Sequence, residues 1–441
     1  SSNYVCNFHK QLSCKESRHI LQREPFGTQF SKSCLNDCVY IKDKILFNES
    51  VESITSYAYF LTSTSHQKSL KPRNLLVVDE AHNIENQISN NYELTISENF
   101  CKKILKINWQ SALTNQTEIV NWIREIYAEA VIKHISHLSN MFNKYRALQD
   151  RSPQLANTAK QYDMIVKHNQ KIQKFIELYN EDNWALNLIP AIGKSMRKFE
   201  FKPIDISQYV QDILFPYGNK ILLMSATILN KDAFCESLGI KNEDCGFLSL
   251  ETPFPIQNRP VFYIPCGKMS KDKIDESLPK IAENIKNILN VHSKEKGLIH
   301  CHTFKIADFL RKNIKNKRLL FHDSENREEV LLEHIKSNKP TVLVSPSMSE
   351  GVDLKDDSSR FQILCKIPYP YLGCQITKKR MKKFKYWYNY QTTKSIIQSL
   401  GRSIRHIEDS AVSYILDEDW DYFYKKNSHL FPPSFKKTLQ I

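Results

Sequence analysis

Leu75-Leu76-Val77-Val78-Asp79-Glu80-Ala81-His82-Asn83-Ile84-Glu85 is the stretch whose reading decides the fold. The run Leu75 to Val78 has the length and β-branched bias of a buried strand, and it ends in two adjacent carboxylates and then a histidine. At such a strand tip, nucleoside-triphosphate machines place an aspartate that holds Mg²⁺ against the phosphates and a glutamate that takes a proton from the attacking water. Asp79 and Glu80 are the residue types for those roles. Taken alone, Asp79 to His82 reads equally well as a polar turn closing a core strand, so the rest of the chain must decide.

Downstream, Ile221 to Ile228 reads as a second buried strand ending in Ser225-Ala226-Thr227, small hydroxyls suited to bonding catalytic carboxylates and a neighbouring domain. Pro253, Pro255, Pro260 and Pro265 mark a linker between domains. A second α/β unit follows, with strands expected at 261–264, 297–301, 341–344, 361–364 and 411–416 and helical patterns between most of them, as a parallel sheet requires. The third of these strands runs into Ser-Pro-Ser-Met-Ser-Glu350-Gly351-Val-Asp353. Before the last strand, Gln398-Ser-Leu-Gly401-Arg402-Ser-Ile-Arg405 is expected on a helix, with Arg402 and Arg405 on one face. Fixed planar cations of that kind reach a transferring phosphoryl group.

Other stretches carry less. Residues 39 to about 50 read as helix, and Ser53 to Leu61 as mixed strand and turn, with Tyr57 and Tyr59 placed as packing rings rather than base-stacking ones. Long polar helical patterns fill roughly 97–187, the mark of a helical insertion. Gly193-Lys194-Ser195 imitates a phosphate loop, but Leu188 stands where such a loop needs glycine and no clear strand precedes it, so it is rejected. Lys378-Lys379-Arg380-Met381-Lys382-Lys383-Phe384-Lys385-Tyr386-Trp387-Tyr388 sets six cations among four aromatics. The pattern suits single-stranded nucleic acid, with Phe384 and Trp387 assigned to inward packing and the cations to phosphates.

The chain has 441 residues, enough for two or three domains, and 62 Lys and Arg against 48 acids give a net charge of +14, which points to a polyanionic partner. No apolar run is long enough to cross a membrane and no signal-peptide pattern opens the chain, so an intracellular protein is expected. Four of the 11 cysteines, Cys6, Cys14, Cys34 and Cys38, crowd into a polar segment with little apolar material for a core. A metal or cluster is the expected organiser, and the spacing alone suits zinc or [4Fe-4S]. The chain opens on Ser1 with only 10 glycines and is expected to start inside a longer protein.

Asp-Glu-Ala-His, Ser-Ala-Thr, Ser-Glu-Gly-Val-Asp and Gln-x-x-Gly-Arg-x-x-Arg, in that order across two α/β units, resemble a superfamily 2 helicase. The early cysteines and the helical insertion, together with Ser2-Asn3-Tyr4-x-Cys6, Cys38-x-Tyr40 and Trp387-Tyr388, narrow the likeness to the XPD/DinG-like iron-sulfur DNA helicases. The resemblance implies two RecA-like domains closing on ATP, with a cluster segment at 1–50, domain 1 at 51–96 and 201–256, a helical arch at 97–200 and domain 2 at 257–441. It implies an ATP-dependent 5′-to-3′ translocase on single-stranded and forked DNA. Asp79 with Mg²⁺ and Glu80 become the water-handling pair, and His82, Ser225 and Thr227 couple nucleotide state to DNA. Glu350, Gly351 and Asp353 line the second domain's face, and Gln398, Arg402 and Arg405 sense phosphate. Cys6, Cys14, Cys34 and Cys38 become ligands of a [4Fe-4S] cluster, with zinc the lesser alternative. Lys378, Lys379, Arg380, Lys382, Lys383 and Lys385 contact DNA. The family's phosphate loop lies upstream of the cluster, and a truncated sequence is expected over the runner-up, an ATPase-deficient DNA-binding relative.

Overall fold

The computed structural model describes residues 4–6, 13–14, 17, 32, 36, 38–65, 69–147, 153–191, 195–323, 325–346, 354 and 356–440. The chain divides into two compact units, one of residues 1–223 with 373–379 and the other of 224–372 with 380–441. Both are α/β.

In the first unit, β1 (Arg73–Val78) pairs in parallel with β5 (Gly218–Leu223), Val78 opposite Leu223. The pair is expected to be buried, yet Leu75, Val77 and Leu222 are each about half exposed. Leu75, Val77 and Leu222 share one face of the pair, since Val77 lies opposite Leu222, and that face lacks the helical cover a parallel sheet ordinarily has. Ser53 to Leu61 also departs from expectation: Tyr57–Ser65 is a helix, with Leu61 buried, because Tyr-Ala-Tyr-Phe-Leu offers helical spacing on an apolar face as readily as strand alternation. The helix expected after Cys38 is present as Val39–Glu49.

Between β1 and β5 the chain makes a second body. Helix Gln116–Trp122 continues through a π-helical turn, Ile123–Tyr127, into Ala128–Ala147, which lies against Pro153–Leu178. The helical reading of 97–187 overlooks an antiparallel sheet in the order β2-β4-β3, where β2 is Leu94–Ser97, β3 Trp184–Ile189 and β4 Lys198–Pro203. Its signal was the alternation Lys198-Phe199-Glu200-Phe201-Lys202, with both phenylalanines inward. Trp109 stacks on Phe199 at 4.3 Å and Phe175 meets Trp184 edge-on at 5.0 Å, so an aromatic core joins helices to sheet. Strand β3 also corrects one ground for dismissing Gly193-Lys194-Ser195, since a strand does precede it. That strand is antiparallel and Leu188 still occupies the glycine position; Gly193 and Lys194 lie outside the described residues.

The second unit holds a parallel seven-stranded sheet in the order β12-β6-β11-β10-β7-β9-β8. Here β6 is Val261–Tyr263, β7 Gly297–His300, β8 Leu319–Phe321, β9 Val342–Ser345, β10 Phe361–Leu364, β11 Val412–Ile415 and β12 Leu439–Gln440. Five match the expected strands to within two residues; β8 and β12 are short and carried no alternation long enough to read. Every residue of β7, β9 and β10 is buried. Helix Ile274–Val291 presents Leu278, Ile281, Ile285, Ile288 and Leu289 to this core at helical spacing. Gly297 has to be glycine, because a Cβ there would lie 2.4 Å from the Phe361 ring on the neighbouring strand.

Candidate active site

The first unit carries the carboxylate pair. β1 ends at Val78, and the next two residues are exposed, so both carboxylates face solvent from the strand tip. Glu80 has φ 49° and ψ 41°, the left-handed region that a β-carbon disfavours. Three contacts hold the turn there. The Glu80 N–H donates to Asp79 Oδ1 at 2.8 Å, the Tyr57 hydroxyl donates to the Asp79 carbonyl at 3.0 Å, and His82 Nδ1 lies 3.2 Å from Glu80 Oε2. Burial beside Asp79 and Glu80 raises the Tyr57 phenol well above its usual range, which keeps it a donor. Tyr57, which the sequence reading assigned to packing, thus braces the turn, and only the fold reveals which tyrosine reaches it.

The second unit carries the hydroxyls, the glutamine and the arginines. Ser225 Oγ accepts from the Thr227 N–H at 3.1 Å, and Gln398 Nε2 donates to Thr227 Oγ1 at 3.2 Å. Two candidates 171 residues apart are therefore brought together. Gln398 sits in helix Trp387–Leu400, but Arg402 and Arg405 do not, because that helix ends before Gly401. The shared helix face expected for the arginines is corrected to a loop. Glycine weakens helix continuation, and the chain is drawn away by Ser403 Oγ donating to Ser359 Oγ at 2.7 Å and by the Arg405 N–H donating to Asp409 Oδ2 at 3.1 Å. Asp409 is buried and its other oxygen meets Arg360 at 2.7 Å, so this carboxylate fixes the arginine loop. With His406 and Asp356 it forms the single group of three ligating side chains within 4.8 Å among the described residues, but its oxygens are already committed to Arg360 and to backbone N–H groups.

Beneath that loop His300, at the tip of β7, is 1% exposed, and burial, with His302 and Arg402 nearby, holds its imidazole down to about 3. It is neutral at any physiological pH. Gln362 on the adjacent β10 donates to Ser413 Oγ at 3.1 Å and to the Leu400 carbonyl. Neither His300 nor Gln362 was singled out from sequence; polar residues inside apolar strands, next to a helix end, were the available sign. Glu350, Gly351 and Asp353 lie outside the described residues.

The basic helix Gln375–Lys383 is less uniform than its composition. Lys378, Lys382, Lys383 and Lys385 are exposed. Lys379 donates to the Trp184 carbonyl at 2.8 Å, while Arg380 is buried with its guanidinium 5.8 Å from the Trp387 ring centre. Phe384 and Trp387 pack inward as expected.

In the cysteine segment, Cys6 and Cys14 are buried on either side of the antiparallel bridge between Val5 and Ser13, where the Cys14 N–H donates to the Tyr4 carbonyl at 2.7 Å. Tyr4 meets Tyr40 edge-on at 5.3 Å and donates to Asp43 at 2.9 Å, which draws the Cys38 end of the segment to the same place. Among the described residues Cys6, Cys14 and Cys38 take part in no disulfide, and Cys34 lies outside the described residues. Thiols are the residue type that holds zinc or an iron-sulfur cluster, but Cys6, Cys14 and Cys38 are not gathered within 4.8 Å of one another.

Residues 1–100 match the DEAD_2 family and residues 285–437 the Helicase C-terminal domain family. The ATP-dependent DNA helicase DinG of Photobacterium profundum is 28% identical over 49% of this chain and 34% of its own length. The ATP-dependent DNA helicase CHL1 of Candida albicans is 29% identical over 24% of this chain and 16% of its own. The chain thus spans about a third or less of these relatives. The solved apo structure of XPD shares the fold with a TM-score of 0.57 at 18% identity, covering 84% of this chain and 79% of that one. Motif order, the two family matches and the shared fold agree in making the chain similar to the XPD/DinG-like superfamily 2 helicases.

Proposed function

We propose that this chain forms the motor of an ATP-dependent DNA helicase that tracks 5′ to 3′ along single-stranded DNA and opens forked duplex. The observation that carries the reading is the strand tip: two exposed carboxylates on a turn held in a left-handed conformation by Tyr57 and the Asp79 side chain. A turn that spends conformational energy to present a carboxylate is the mark of a site rather than of a loop. Asp79 is the Mg²⁺ ligand, and the metal when bound neutralises charge developing on the phosphates. Glu80 takes the proton of the attacking water, with His82 orienting its carboxylate. Thr227 and Gln398 act as one hydrogen-bonded unit that relays nucleotide state. Arg402, held by the loop that Asp409 anchors, and Arg405 stabilise phosphate charge, and Ser225, Glu350, Gly351 and Asp353 complete the nucleotide face.

In this reading residues 1–50 form a segment in which Cys6, Cys14, Cys34 and Cys38 hold a [4Fe-4S] cluster. Residues 51–96 and 201–256 make the first RecA-like domain, 97–200 the arch and 257–441 the second. Exposed Lys378, Lys382, Lys383 and Lys385 follow the DNA backbone, while Lys379 and Arg380 hold the helix in place.

The test is ATP hydrolysis by the protein carrying this chain, with and without single-stranded DNA, beside Glu80→Gln. Turnover is expected to rise with DNA and to fall by roughly 10²- to 10⁴-fold in the variant, with DNA binding retained. DNA affinity is expected to drop with salt by about 0.7 log units per phosphate contacted for each tenfold rise. Turnover indifferent to Glu80→Gln overturns the assignment, and tight DNA binding with no turnover favours an ATPase-deficient DNA-binding role. Iron analysis of anaerobically purified protein decides the cluster: zinc at one equivalent without iron overturns it.

A further inference from the structure

Outside the nucleotide and DNA residues, two thiols of the second unit approach each other closely. Cys235 lies in helix Lys231–Leu238 and Cys245 follows the short turn Asn242–Asp244, and their sulfurs are 3.5 Å apart. The approach is built in rather than incidental to a loop. Asn230 caps the helix through the Ala233 N–H at 2.9 Å, and Gly239 in the left-handed region turns the chain back, with the Ile240 N–H donating to the Cys235 carbonyl at 2.9 Å. The returning turn is fastened to the first helical turn at two points: Lys231 Nζ donates to the Asn242 carbonyl at 2.9 Å and Asn242 Nδ2 donates to Asp232 Oδ1 at 2.8 Å. Cys235 is 4% exposed, whereas Cys245 is partly open to solvent. The pair therefore has one thiol that an external disulfide can reach and a second already beside it.

We propose that Cys235 and Cys245 are a modification site, a dithiol that closes reversibly to an intrachain disulfide by exchange with a small-molecule disulfide of the glutathione class. The Cys245 thiolate, its proton lost to solvent, attacks one sulfur of the external disulfide, forming a mixed disulfide and expelling a thiolate that takes up a proton. Cys235 then gives its proton to solvent and attacks Cys245 Sγ, breaking the mixed disulfide and releasing the second small thiolate, which is protonated in turn. The balance is two protein thiols and one external disulfide in, one protein disulfide and two small thiols out. The sulfurs need close only from 3.5 Å to about 2.05 Å. Burial, with Cys245 adjacent, pushes the Cys235 thiol up to about 12, which makes it the second thiol to react. The pair Cys301 and Cys365, by contrast, is fully buried and has no exposed member to begin the exchange. Closure would tie the end of the helix that follows Ser225-Ala226-Thr227 to the turn beyond it.

The experiment titrates the intact protein with mixtures of oxidised and reduced glutathione, quenches with an alkylating agent and maps the cysteine peptides by mass. A Cys235–Cys245 crosslink, with the mass loss of two hydrogens, is expected at ratios where Cys266, Cys301 and Cys365 still alkylate. Cys245→Ser, at the more exposed member, should abolish that crosslink without moving the melting temperature of the reduced protein, and Cys235→Ser should leave one glutathione trapped on Cys245. The proposal is overturned if both thiols alkylate freely until the core cysteines react, or if Cys245 is glutathionylated in the unsubstituted protein without ring closure.

Discussion

The two parallel sheets of this molecule begin from nearly the same kind of sequence and end in different environments. Leu75-Leu76-Val77-Val78 and Ile299's strand β7 are both short apolar runs with chemistry at the carboxyl end. β7 is flanked by β9 and β10 and is buried throughout, whereas β1 has one neighbour among the described residues and leaves Leu75 54% and Val77 49% exposed. An apolar run therefore specifies strand; how deeply it is buried depends on what the fold lays over its faces. The tips obey a parallel rule. At β1 the functional groups are charged and open, while at β7 and β10 they are neutral, buried and hydrogen-bonded beneath the arginine loop.

That contrast breaks most visibly in the core. Ile299→Ala, at a site with no exposure, is expected to cost roughly 2–5 kcal/mol of stability, while Leu75→Ala is expected to cost less than about 1 kcal/mol. Urea unfolding followed by circular dichroism compares them, and equal losses would mean that the exposed face of β1 is covered in solution.

A smaller effect separates the units by acidity. His300 and His334 in the second unit are 1% and 0% exposed, and burial holds them down to about 3 and about 4. His334 is satisfied as the neutral ring, donating from Nε2 to the Ser358 carbonyl at 2.8 Å and accepting at Nδ1 from Thr341 at 2.9 Å. An unfolded imidazole protonates near 6.5, so below that pH the unfolded chain binds more protons and stability falls, the loss continuing down to the folded values. Each buried ring contributes on the order of 1 kcal/mol per pH unit over that range. Hydrogen exchange should show the second unit loosening between about pH 6.5 and 5 more than the first, because burial also holds His302 of the second unit down to about 4, whereas among the described residues the first has only His168, at about 4, and the more modestly lowered His134. A pH-independent difference would mean these rings are hydrated.

Much of this was legible in the chain. Ordered strand-tip motifs, five of the second sheet's strands and the inward turn of Phe384 and Trp387 all follow from local pattern. What was not legible depends on distant partners. The Arg402 loop leaves its helix because Ser359 and Asp409 hold it elsewhere, and Arg380 sits in a basic run yet is buried against Trp387. Antiparallel β2-β4-β3 escaped because its strands flank a long helical stretch that dominates any sliding window.

The left-handed turn at Glu80 has a consequence for how this protein tolerates drift. Asparagine or glycine adopts that backbone at lower cost, so Glu80→Asn or Glu80→Gly should leave the fold as stable as before or slightly more so. A library sorted only by resistance to heat would therefore keep, and even enrich, variants that have lost the proposed proton acceptor. Survival at high temperature is a poor proxy for a working motor here, and any consensus built from stabilised variants should have position 80 held fixed.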